Sequence, residues 1–532
     1  MSSSSMSHAR QKDLGAYYTP TSAADHMADW LVRTGGERVL EPSFGEGIFL
    51  KAVADAAARH KMDAVTVCGF EINEEAVQHA RQVPFGALAD DLRNEDFLSA
   101  APFGVDAVIG NPPYVRLRNL PPDQKERALE TAARVLGEDM RTSGSVWMPF
   151  VLHAMRFLNM TGRMAVVLPH ELTYVKYARP LWRALGQHFG SLRVARTHER
   201  LFPDLLQDVV ILFADHFGAQ TDHVTYRPYG DMDDLLEGRP VAEEALSIEA
   251  IAQGERVFTR ALLSDELRQL LSGKVAAATR PAREVVTFNI GYVTGNKSFF
   301  HPDEDVADDF DLPERSLRPA VASTRMLRET GVRSSALQAP GTLFLPDPDA
   351  LTAGERRYIE QGEADGVNEA YKCRVRDPWF VVPNVRVPDV LVSVFSESPV
   401  LLVNDAGHVA TNSLLCGYIQ EGQTTASALA ASWYTTLMRL QFELEVHALG
   451  GGVMVMVPGE AGRLRLPCDV TAPDDHLAQI DRLMQDGDLD AAYAQGDDLI
   501  LRDQLGFDRA ELSLIKEGID TLAHWRTSAR AS

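Results

Sequence analysis

Asparagine, two prolines and tyrosine follow one another at Asn111–Tyr114, directly after the apolar run Asp106–Ile109. Proline fixes φ and has no N–H donor, so the carbonyls of Asn111 and Pro112 would present acceptors without a competing donor. With the Asn111 side-chain oxygen they could hold both hydrogens of an exocyclic amine, and Tyr114 offers a face on which a planar base stacks. For a double proline in isolation, a surface turn after a buried strand is the alternative interpretation.

A glycine turn and an acidic strand end lie upstream of this loop. Val39–Gly47 has the pattern of a strand that leads into a glycine turn and a helix, and Glu71 follows the next apolar run. Glycines let the backbone approach a ligand at a helix N-terminus, and a strand-end carboxylate can accept both hydroxyls of a ribose. Taken alone, the glycines are equally consistent with a plain tight turn. Together with the acidic strand end, they favour a nucleoside ligand.

The elements that must position these residues alternate between strands and helices. From about residue 20 to 220, short β-rich runs alternate with amphipathic stretches, which predicts βαβ units and a largely parallel sheet. Helical spacing is clearest over Thr21–Thr34, Phe49–Arg59 and Val146–Leu158. The predicted strands are Arg38–Leu40, Ala64–Phe70, Asp106–Ile109, Arg163–Leu168, Leu192–Arg196 and Asp208–Ala214.

The sequence pattern changes beyond this region, and the chain is long enough for several domains. We predict an α/β catalytic domain over residues 1–230 and a helical connector over residues 231–284, in which Glu243–Gln253 is helical. A mixed α+β domain over residues 285–470 and an acidic helical segment over residues 471–532 would follow.

Composition limits the possible partners and compartments. No apolar run is long enough to cross a bilayer, and we expect a cytoplasmic protein. The four cysteines are widely separated and form no CxxC pair, so neither a disulfide framework nor a metal site is indicated. A formal net charge of -23 argues against a nucleic-acid partner unless the basic residues are concentrated locally.

The Asn111–Tyr114 loop resembles the catalytic motif of gamma-class amino-methyltransferases that modify DNA adenine in type II restriction-modification systems, of the AccI, SalI and XamI sort. In that class the cofactor motifs precede the catalytic loop and a target-recognition domain follows. The resemblance implies a Rossmann-like domain that uses S-adenosylmethionine. It also implies that Leu201–Pro203 carries an aromatic ring opposite Tyr114, on the other face of an extruded base. The catalytic residues that it implies are Asn111, Pro112, Tyr114 and Phe202.

The resemblance extends to the cofactor motifs. Gly15–Pro20 resemble the motif that caps the methionine end of the cofactor, and Glu41–Gly47 resemble the glycine-rich motif. Glu71 matches the ribose-binding acid, and Asp96–Phe97 match the motif that contacts the cofactor adenine. The cofactor-binding residues that it implies are Tyr18, Thr19, Pro20, Glu41, Pro42, Gly45, Gly47, Glu71, Ile72, Asp96, Phe97 and Asn111.

The resemblance is weaker in the recognition domain, where Gly291–Lys297, Gly450–Gly452 and Leu464–Pro467 carry it. For each basic candidate there, DNA contact and ordinary solvated charge are equally good interpretations. These candidates are Lys297, Arg325, Arg328, Lys372, Arg374 and Arg376. After the strand that ends near Leu168, the side chains of His170, Glu171 and Tyr174 either line the pocket or are structural.

The resemblance implies methyl transfer to N6 of a flipped-out adenine in a specific double-stranded DNA sequence, which protects host DNA from a separate cognate endonuclease. We expect a monomer, because each strand can be methylated in turn. Another amine is the alternative target: cytosine N4, adenine in RNA or glutamine in a protein. A catalytically idle DNA-binding subunit is the alternative from another class.

Overall fold

The structure is a computed structural model that describes residues 19–82, 89–201, 208–327, 330–337, 340–449 and 452–527. It contains two compact units, of which the first ends at Leu262 and the second spans Leu263–Arg526. Tyr18, Phe202 and Arg328 lie outside the described residues, so their assigned roles stay predictions.

One large sheet organises the first unit, with nine strands among the described residues. Its spatial order is β3-β2-β1-β4-β5-β7-β6-β8-β9, and the neighbours from β3 to β5 are all parallel, whereas β7 is antiparallel to both β5 and β6. The strands are β1 (Arg38–Glu41), β2 (Thr66–Glu71), β3 (Ala89–Asn94), β4 (Val105–Gly110), β5 (Leu158–Pro169), β6 (Phe189–Thr197), β7 (Val209–Phe217), β8 (His223–Tyr229) and β9 (Glu244–Ser247).

Helices cover both faces of the sheet, because its central strands are apolar on both sides. In β4, Ala107 and Ile109 pack into one hydrophobic cluster and Val108 into the other, as period-two alternation requires. The helices of this unit are α1 (Thr21–Leu31), α2 (Ile48–His60), α3 (Glu74–Gln82), α4 (Pro122–Leu136), α5 (Trp147–Met155), α6 (Arg179–His188), α7 (Met232–Leu236), α8 (Ile248–Gln253) and α9 (Val257–Arg260). The first three pack on one face, and α4, α5 and α6 on the other.

The strand order reverses between β1 and β4. From β1 the chain proceeds to β2 and β3 on one side, whereas β4 and β5 lie on the other side. The two strands pair in parallel, with Val39 opposite Ala107 and Leu40 opposite Val108. Ligands of open α/β sheets bind at such a reversal, beyond the carboxyl ends of the strands. Glu41 and Gly110 end these two strands, so the sheet brings the glycine turn and the Asn111–Tyr114 loop to the same edge.

The second unit is mixed. Its strands form small sheets in the orders β11-β18-β14-β16, β13-β12-β17, β15-β20-β19 and β10-β21. The strands are β10 (Thr279–Pro281), β11 (Val286–Ile290), β12 (Leu317–Val321), β13 (Gly341–Phe344), β14 (Val390–Ser393), β15 (Phe395–Ser396), β16 (Leu401–Val403), β17 (Val409–Ala410), β18 (Leu414–Ile419), β19 (His447–Ala448), β20 (Met454–Val455) and β21 (Arg465–Pro467).

Short helices interrupt these sheets, and longer ones follow them. They are α10 (Asp265–Leu270), α11 (Ala276–Ala278), α12 (Lys297–Phe300), α13 (Glu304–Asp309), α14 (Ala353–Ala364), α15 (Tyr371–Arg374), α16 (Ala426–Trp433), α17 (Thr436–Glu445), α18 (Pro458–Ala461), α19 (Asp474–Gln485), α20 (Leu489–Gly496) and α21 (Arg509–Thr527). The predicted fold class, an α/β domain followed by a mixed α+β domain and a helical end, is confirmed.

The structure differs from the predicted helical connector over residues 231–284. Residues Glu244–Ser247 form β9, which pairs antiparallel with β8 at the edge of the large sheet. The helix predicted over Glu243–Gln253 therefore begins only at Ile248. In the described part of the chain, no helix has the length and hydropathy needed to cross a bilayer.

Gly69 in β2 allows the glycine turn to pack against the sheet. A Cβ at this position would lie 2.7 Å from Cδ1 of Phe44 and 3.2 Å from the Glu41 carbonyl oxygen. Gly69→Ala should therefore lower the free energy of unfolding by about 1–3 kcal/mol, measured by urea denaturation. Gly273→Ala is the control, since its Cβ would meet no atom within 4 Å. Equal stability of both variants would contradict the close packing at Gly69.

Candidate active site

Asn111 follows β4, and of the two polar groups of its side chain only the amide nitrogen forms a hydrogen bond with the described residues. Its amide nitrogen lies 3.4 Å from Oγ1 of Thr19, which is buried just before α1. Its amide oxygen is buried and accepts no hydrogen bond from the described residues. An unpaired buried acceptor costs about 1–3 kcal/mol, which a donor on a ligand would recover. The side chain is thus oriented by Thr19 and has an acceptor available.

The backbone of the loop is fixed from two sides. The Ser43 hydroxyl donates to the Asn111 carbonyl over 3.3 Å, so one of the two predicted main-chain acceptors already serves a contact within the protein. The Tyr114 hydroxyl donates to the Val167 carbonyl in β5 over 3.2 Å and holds that ring at the sheet edge. Pro112 is buried between these two contacts. The loop is therefore attached to both β1 and β5.

The glycine turn after β1 has the backbone conformation that its sequence predicts. Gly45 and Gly47 have φ values of +51° and +83°, which L side chains rarely adopt, and Gly47 is the N-cap of α2. The Glu71 carboxylate at the end of β2 accepts hydrogen bonds from the backbone N–H groups of Gly45 and Asn73, over 3.0 and 2.8 Å. Ile72 beside it is 57% exposed. An exposed apolar side chain next to a carboxylate suits a nucleoside.

Glu41 is a buried acid at the end of β1, with 1% of its surface exposed. Burial, and then the nearby Glu71 carboxylate, raise its pKa well above the usual range, although the Leu50 backbone N–H donates to it. Its Oε2 has no hydrogen-bond partner among the described residues. A cationic ligand group at this oxygen would stabilise the charged form of the carboxyl and would also supply the missing hydrogen-bond partner.

These residues fit S-adenosylmethionine. The unpaired Glu41 oxygen suits the cationic methionine portion of that cofactor, and Glu71 with the exposed Ile72 suits its nucleoside portion. Pro42 contributes to the wall of a small cavity that Asn111 and Pro112 also line. Thr19 and Pro20 lie at the start of α1, where Thr19 contacts Asn111.

Phe97, which the resemblance assigns to the cofactor adenine, has a buried side chain. Its ring is 1% exposed and packs against Phe70, Phe150 and His153, with centroid distances of 5.4, 5.3 and 4.7 Å. The ring therefore packs in the core, and the assignment of Phe97 to the cofactor stays a prediction. Asp96 accepts from the Leu98 backbone N–H over 3.0 Å and remains partly exposed.

Comparison with known protein families follows the same division of the chain. Residues 4–179 match the model described as N-6 DNA Methylase, and residues 255–501 match that of the type II methyltransferase M.Eco57I, C-terminal domain. M.AccI of Acinetobacter calcoaceticus is 21% identical, covering 87% of this chain and 86% of its own. M.XamI of Xanthomonas campestris pv. amaranthicola is 24% identical, covering 85% of each chain. Both are named type II methyltransferases.

These matches identify the chain as a DNA methyltransferase, similar to the type II enzymes. The N-6 model places it among the adenine-specific members. The fold is similar to that of LlaGI, a type ISP restriction-modification enzyme whose nuclease-deletion mutant was solved with a DNA substrate mimic, at 12% identity and a TM-score of 0.51. That match covers 88% of this chain but only 54% of the LlaGI chain.

In the second unit of this methyltransferase, Arg376 forms hydrogen bonds within the protein. Its guanidinium donates to the backbone carbonyls of Val293 and Thr294, the latter over 2.8 Å. The Cys373 thiol also donates to the Thr294 carbonyl, over 3.7 Å. Two donors of Arg376 therefore hold the Gly291–Lys297 loop, and its assignment to DNA stays a prediction.

The other basic candidates among the described residues of the methyltransferase are exposed. Lys297, Arg325, Lys372 and Arg374 all reach solvent, and none forms an ion pair with a described residue. Gly295 has a φ of +99° and would bring a Cβ within 2.9 Å of the Lys372 Cβ, so the loop that carries Lys297 packs against α15. Tyr371, at the start of α15, is 66% exposed. This surface combines cations with an exposed aromatic ring.

Two residues after β5 of the methyltransferase, His170 and Tyr174, pack against each other. Desolvation, and then Arg196 and Arg256, lower the pKa of His170 well below its usual range, so this imidazole is neutral. His170 contacts the Tyr174 ring edge-on, at a centroid distance of 5.8 Å, and Arg256 lies over that ring at 5.1 Å. Both side chains therefore have structural contacts.

Sequence reasoning missed Arg116 in the methyltransferase. Its guanidinium donates to the Glu171 carboxylate over 3.0 Å, two positions beyond Tyr114. A single arginine has no spacing pattern that marks it, although its position directly after the motif was visible.

Glu41→Gln tests the protonated state of the buried acid. Because the pKa of Glu41 is raised well above its usual value of 4.5, the folded protein keeps a proton that the unfolded chain loses, so the contribution of Glu41 to the wild-type free energy of unfolding should fall as pH rises above about 4.5. The glutamine side chain does not titrate. The Glu41→Gln variant should therefore lack the contribution of Glu41 to the slope of the free energy of unfolding against pH, which is at most about 1.4 kcal/mol per pH unit. Urea denaturation from pH 5 to 8 measures it. Glu130→Gln on α4 is the exposed control, and identical profiles for wild type and Glu41→Gln would contradict a protonated Glu41.

Proposed function

We propose that this methyltransferase transfers the methyl group of S-adenosylmethionine to N6 of an adenine that has flipped out of a specific double-stranded DNA sequence. We further propose that it protects host DNA in a restriction-modification system, whose endonuclease is a functional partner. The observation that carries the proposal is the buried, unpaired amide oxygen of Asn111 at the sheet edge where the glycine turn also lies.

The target base must leave the duplex, because N6 is stacked inside it and a methyl donor bound at the sheet edge cannot reach it there. Extrusion costs a few kcal/mol, and stacking on an aromatic ring returns about 1–3 kcal/mol. Tyr114, whose hydroxyl is held by the Val167 carbonyl, is one stacking ring. Phe202, which lies outside the described residues, is assigned to the other face on the sequence motif alone.

The two hydrogens of the amine are assigned to the Asn111 amide oxygen and the Pro112 carbonyl. The Asn111 carbonyl already accepts from Ser43, which favours this pair over the two main-chain oxygens. Hydrogen bonds to both amine hydrogens hold the nitrogen with its lone pair directed toward the methyl donor. Neither acceptor needs to ionise, so the loop acts through position and polarisation.

S-adenosylmethionine, when bound, supplies an electrophilic methyl group. Glu41 would bind the cationic methionine portion, and Gly45 and Gly47 allow a close approach of the backbone. Glu71 and Ile72 would hold the nucleoside, while Thr19 keeps the Asn111 side chain oriented. The same edge thus positions the donor and the acceptor amine.

Exposed cations in the second unit support a DNA partner despite the net charge of -23. Carboxylates engage many arginines of this chain, such as Arg357 with Asp311 over 3.0 Å. The exposed Lys297, Arg325, Lys372 and Arg374 have no such partner among the described residues. Phosphates would supply the missing negative charge.

The function is tested by methylating plasmid DNA with the purified enzyme and mapping the modified bases. N6-methyladenine at one recurring sequence is expected. Modification at cytosine N4, or activity only on RNA or protein, would overturn the proposal, and so would cofactor binding without any transfer. The mapped sequence should also resist cleavage by a nuclease that recognises it.

Asn111→Ala should abolish most transfer while cofactor affinity stays within about threefold of wild type, because it removes one amine acceptor and leaves the glycine turn intact. Glu71→Ala is the matched variant, with the opposite expectation: weaker cofactor binding by calorimetry, since the carboxylate that holds the Gly45 N–H is lost. Unchanged turnover of Asn111→Ala would remove the catalytic assignment.

The double variant Lys372→Ala/Arg374→Ala should weaken DNA binding and reduce its salt dependence. Each phosphate contact contributes about 0.9 to the slope of log K against log salt, so the slope should fall by roughly 2. Fluorescence anisotropy with a duplex containing the target sequence, from 50 to 300 mM salt, measures it. Arg357→Ala is the control, because this arginine pairs with Asp311. An unchanged slope in the double variant would contradict phosphate contacts at α15.

A further inference from the structure

A buried carboxylate lies directly beyond the catalytic loop. Glu171 follows β5 in a short turn and is 8% exposed. It accepts hydrogen bonds from the Tyr177 hydroxyl over 2.5 Å, from the Trp147 indole N–H over 3.4 Å and from Arg116 over 3.0 Å. A buried carboxylate is stable only when donors surround it in this way. Glu171 is therefore a fixed acceptor.

The partners of Glu171 are themselves rigid. Trp147 is fully buried at the start of α5, and its indole N–H also lies 3.1 Å from the Tyr177 hydroxyl. Burial and the Glu171 charge raise the pKa of Tyr177, so that hydroxyl stays a donor at neutral pH. These contacts define where the carboxylate lies, and the carboxylate defines where the Arg116 guanidinium lies.

The backbone around Arg116 is equally constrained. The Val115 carbonyl accepts from the Ser145 hydroxyl over 2.9 Å and from the Val146 backbone N–H over 2.8 Å. Arg116 and Ser145 form an isolated antiparallel bridge. Tyr114 is attached to β5 through Val167. Arg116 is thus held at the sheet edge that carries the loop.

The Arg116 side chain is nevertheless 43% exposed, unlike the carboxylate that it contacts. A guanidinium has five donors, and the structure records one of them on Glu171, through Nη2. Its planar fork matches the geometry of a phosphate. Arg118, two residues further on, is exposed and forms no ion pair with a described residue. Two cations thus follow the catalytic loop in a strongly acidic chain.

We propose that Arg116 binds a backbone phosphate next to the target adenine, and that Glu171 is a positioning residue that holds the guanidinium for it. This inference rests on the proposed function and adds a contact that keeps the extruded nucleotide at the loop. The contact between Arg116 and this phosphate differs from the phosphate contacts proposed for the second unit, because it holds the nucleotide that reacts.

The test uses duplexes in which one phosphate at a time near the mapped adenine is replaced by a neutral methylphosphonate. For the wild-type enzyme, one replacement should lower kcat/KM about tenfold, the size expected for one charge-assisted hydrogen bond. Arg116→Ala should lose about tenfold on unmodified DNA and then show no further loss at that phosphate, since the contact is already absent. Its cofactor affinity should remain within twofold of wild type.

Two variants of the pair separate binding from folding. Arg116→Lys keeps the charge without the fork and should retain partial sensitivity at the same phosphate. Glu171→Gln keeps an acceptor oxygen but loses the charge that holds Arg116, so the sensitivity should shrink there, with the loss mainly in the KM for DNA. Arg134→Ala on α4, which removes an exposed arginine paired with Glu130, should behave as wild type.

The outcomes are distinguishable from a failure of the proposed function. If the wild-type enzyme methylates adenine but Arg116→Ala retains full sensitivity to every phosphate, the inference is overturned and Arg116 is structural only. The same conclusion follows if Arg116→Lys and Glu171→Gln lose thermal stability in parallel with activity while phosphate sensitivity is unchanged. If the wild type does not methylate DNA, the proposed function itself fails.

Discussion

The parallel pairing of β1 with β4 is the constraint on which the rest of the catalytic unit depends. Val39 lies opposite Ala107 and Leu40 opposite Val108, so the two strands end side by side. Gly110 lies beside Pro42, since a Cβ there would be in ordinary contact with Cδ of Pro42, at 3.4 Å. Most residues assigned to chemistry lie at or after one of these two ends or the end of a neighbouring strand, whereas Thr19 and Pro20 precede α1.

Two buried oxygens at this edge have no partner among the described residues, one on Asn111 and one on Glu41. Each has an energetic cost in the protein alone, since a buried acceptor without a donor loses its hydration. Buried polar atoms are otherwise paired in folded proteins, which makes unpaired ones informative. A hydrogen-bond donor of a ligand would be stabilised at the Asn111 oxygen, and a cationic group of a ligand would be stabilised at the Glu41 oxygen. An amine suits the amide oxygen, and a cation suits the carboxyl.

The sequence predicted the large sheet well because its strands are apolar on both faces and are separated by periodic helices. It missed β3, β8 and β9, and β9 is a short polar edge strand whose residues Glu244–Ser247 have no such pattern. Motif resemblance singled out Asn111, Glu41 and Glu71, and the structure brings them to one sheet edge. It could not report burial or contacts, such as the buried ring of Phe97 and the backbone carbonyls bound by Arg376. Arg116 and Glu171 are far apart in sequence, and only the fold brings them together.

The boundary at Leu262 has an evolutionary consequence. All residues assigned to methyl transfer precede it, and the cations that follow it belong to a separately packed unit with its own small sheets. Under the proposed function, substitutions that alter which DNA sequence is bound would accumulate in the second unit, while the residues assigned to methyl transfer stay unchanged in the first. Divergent specificities could arise in this way from a shared chemical core.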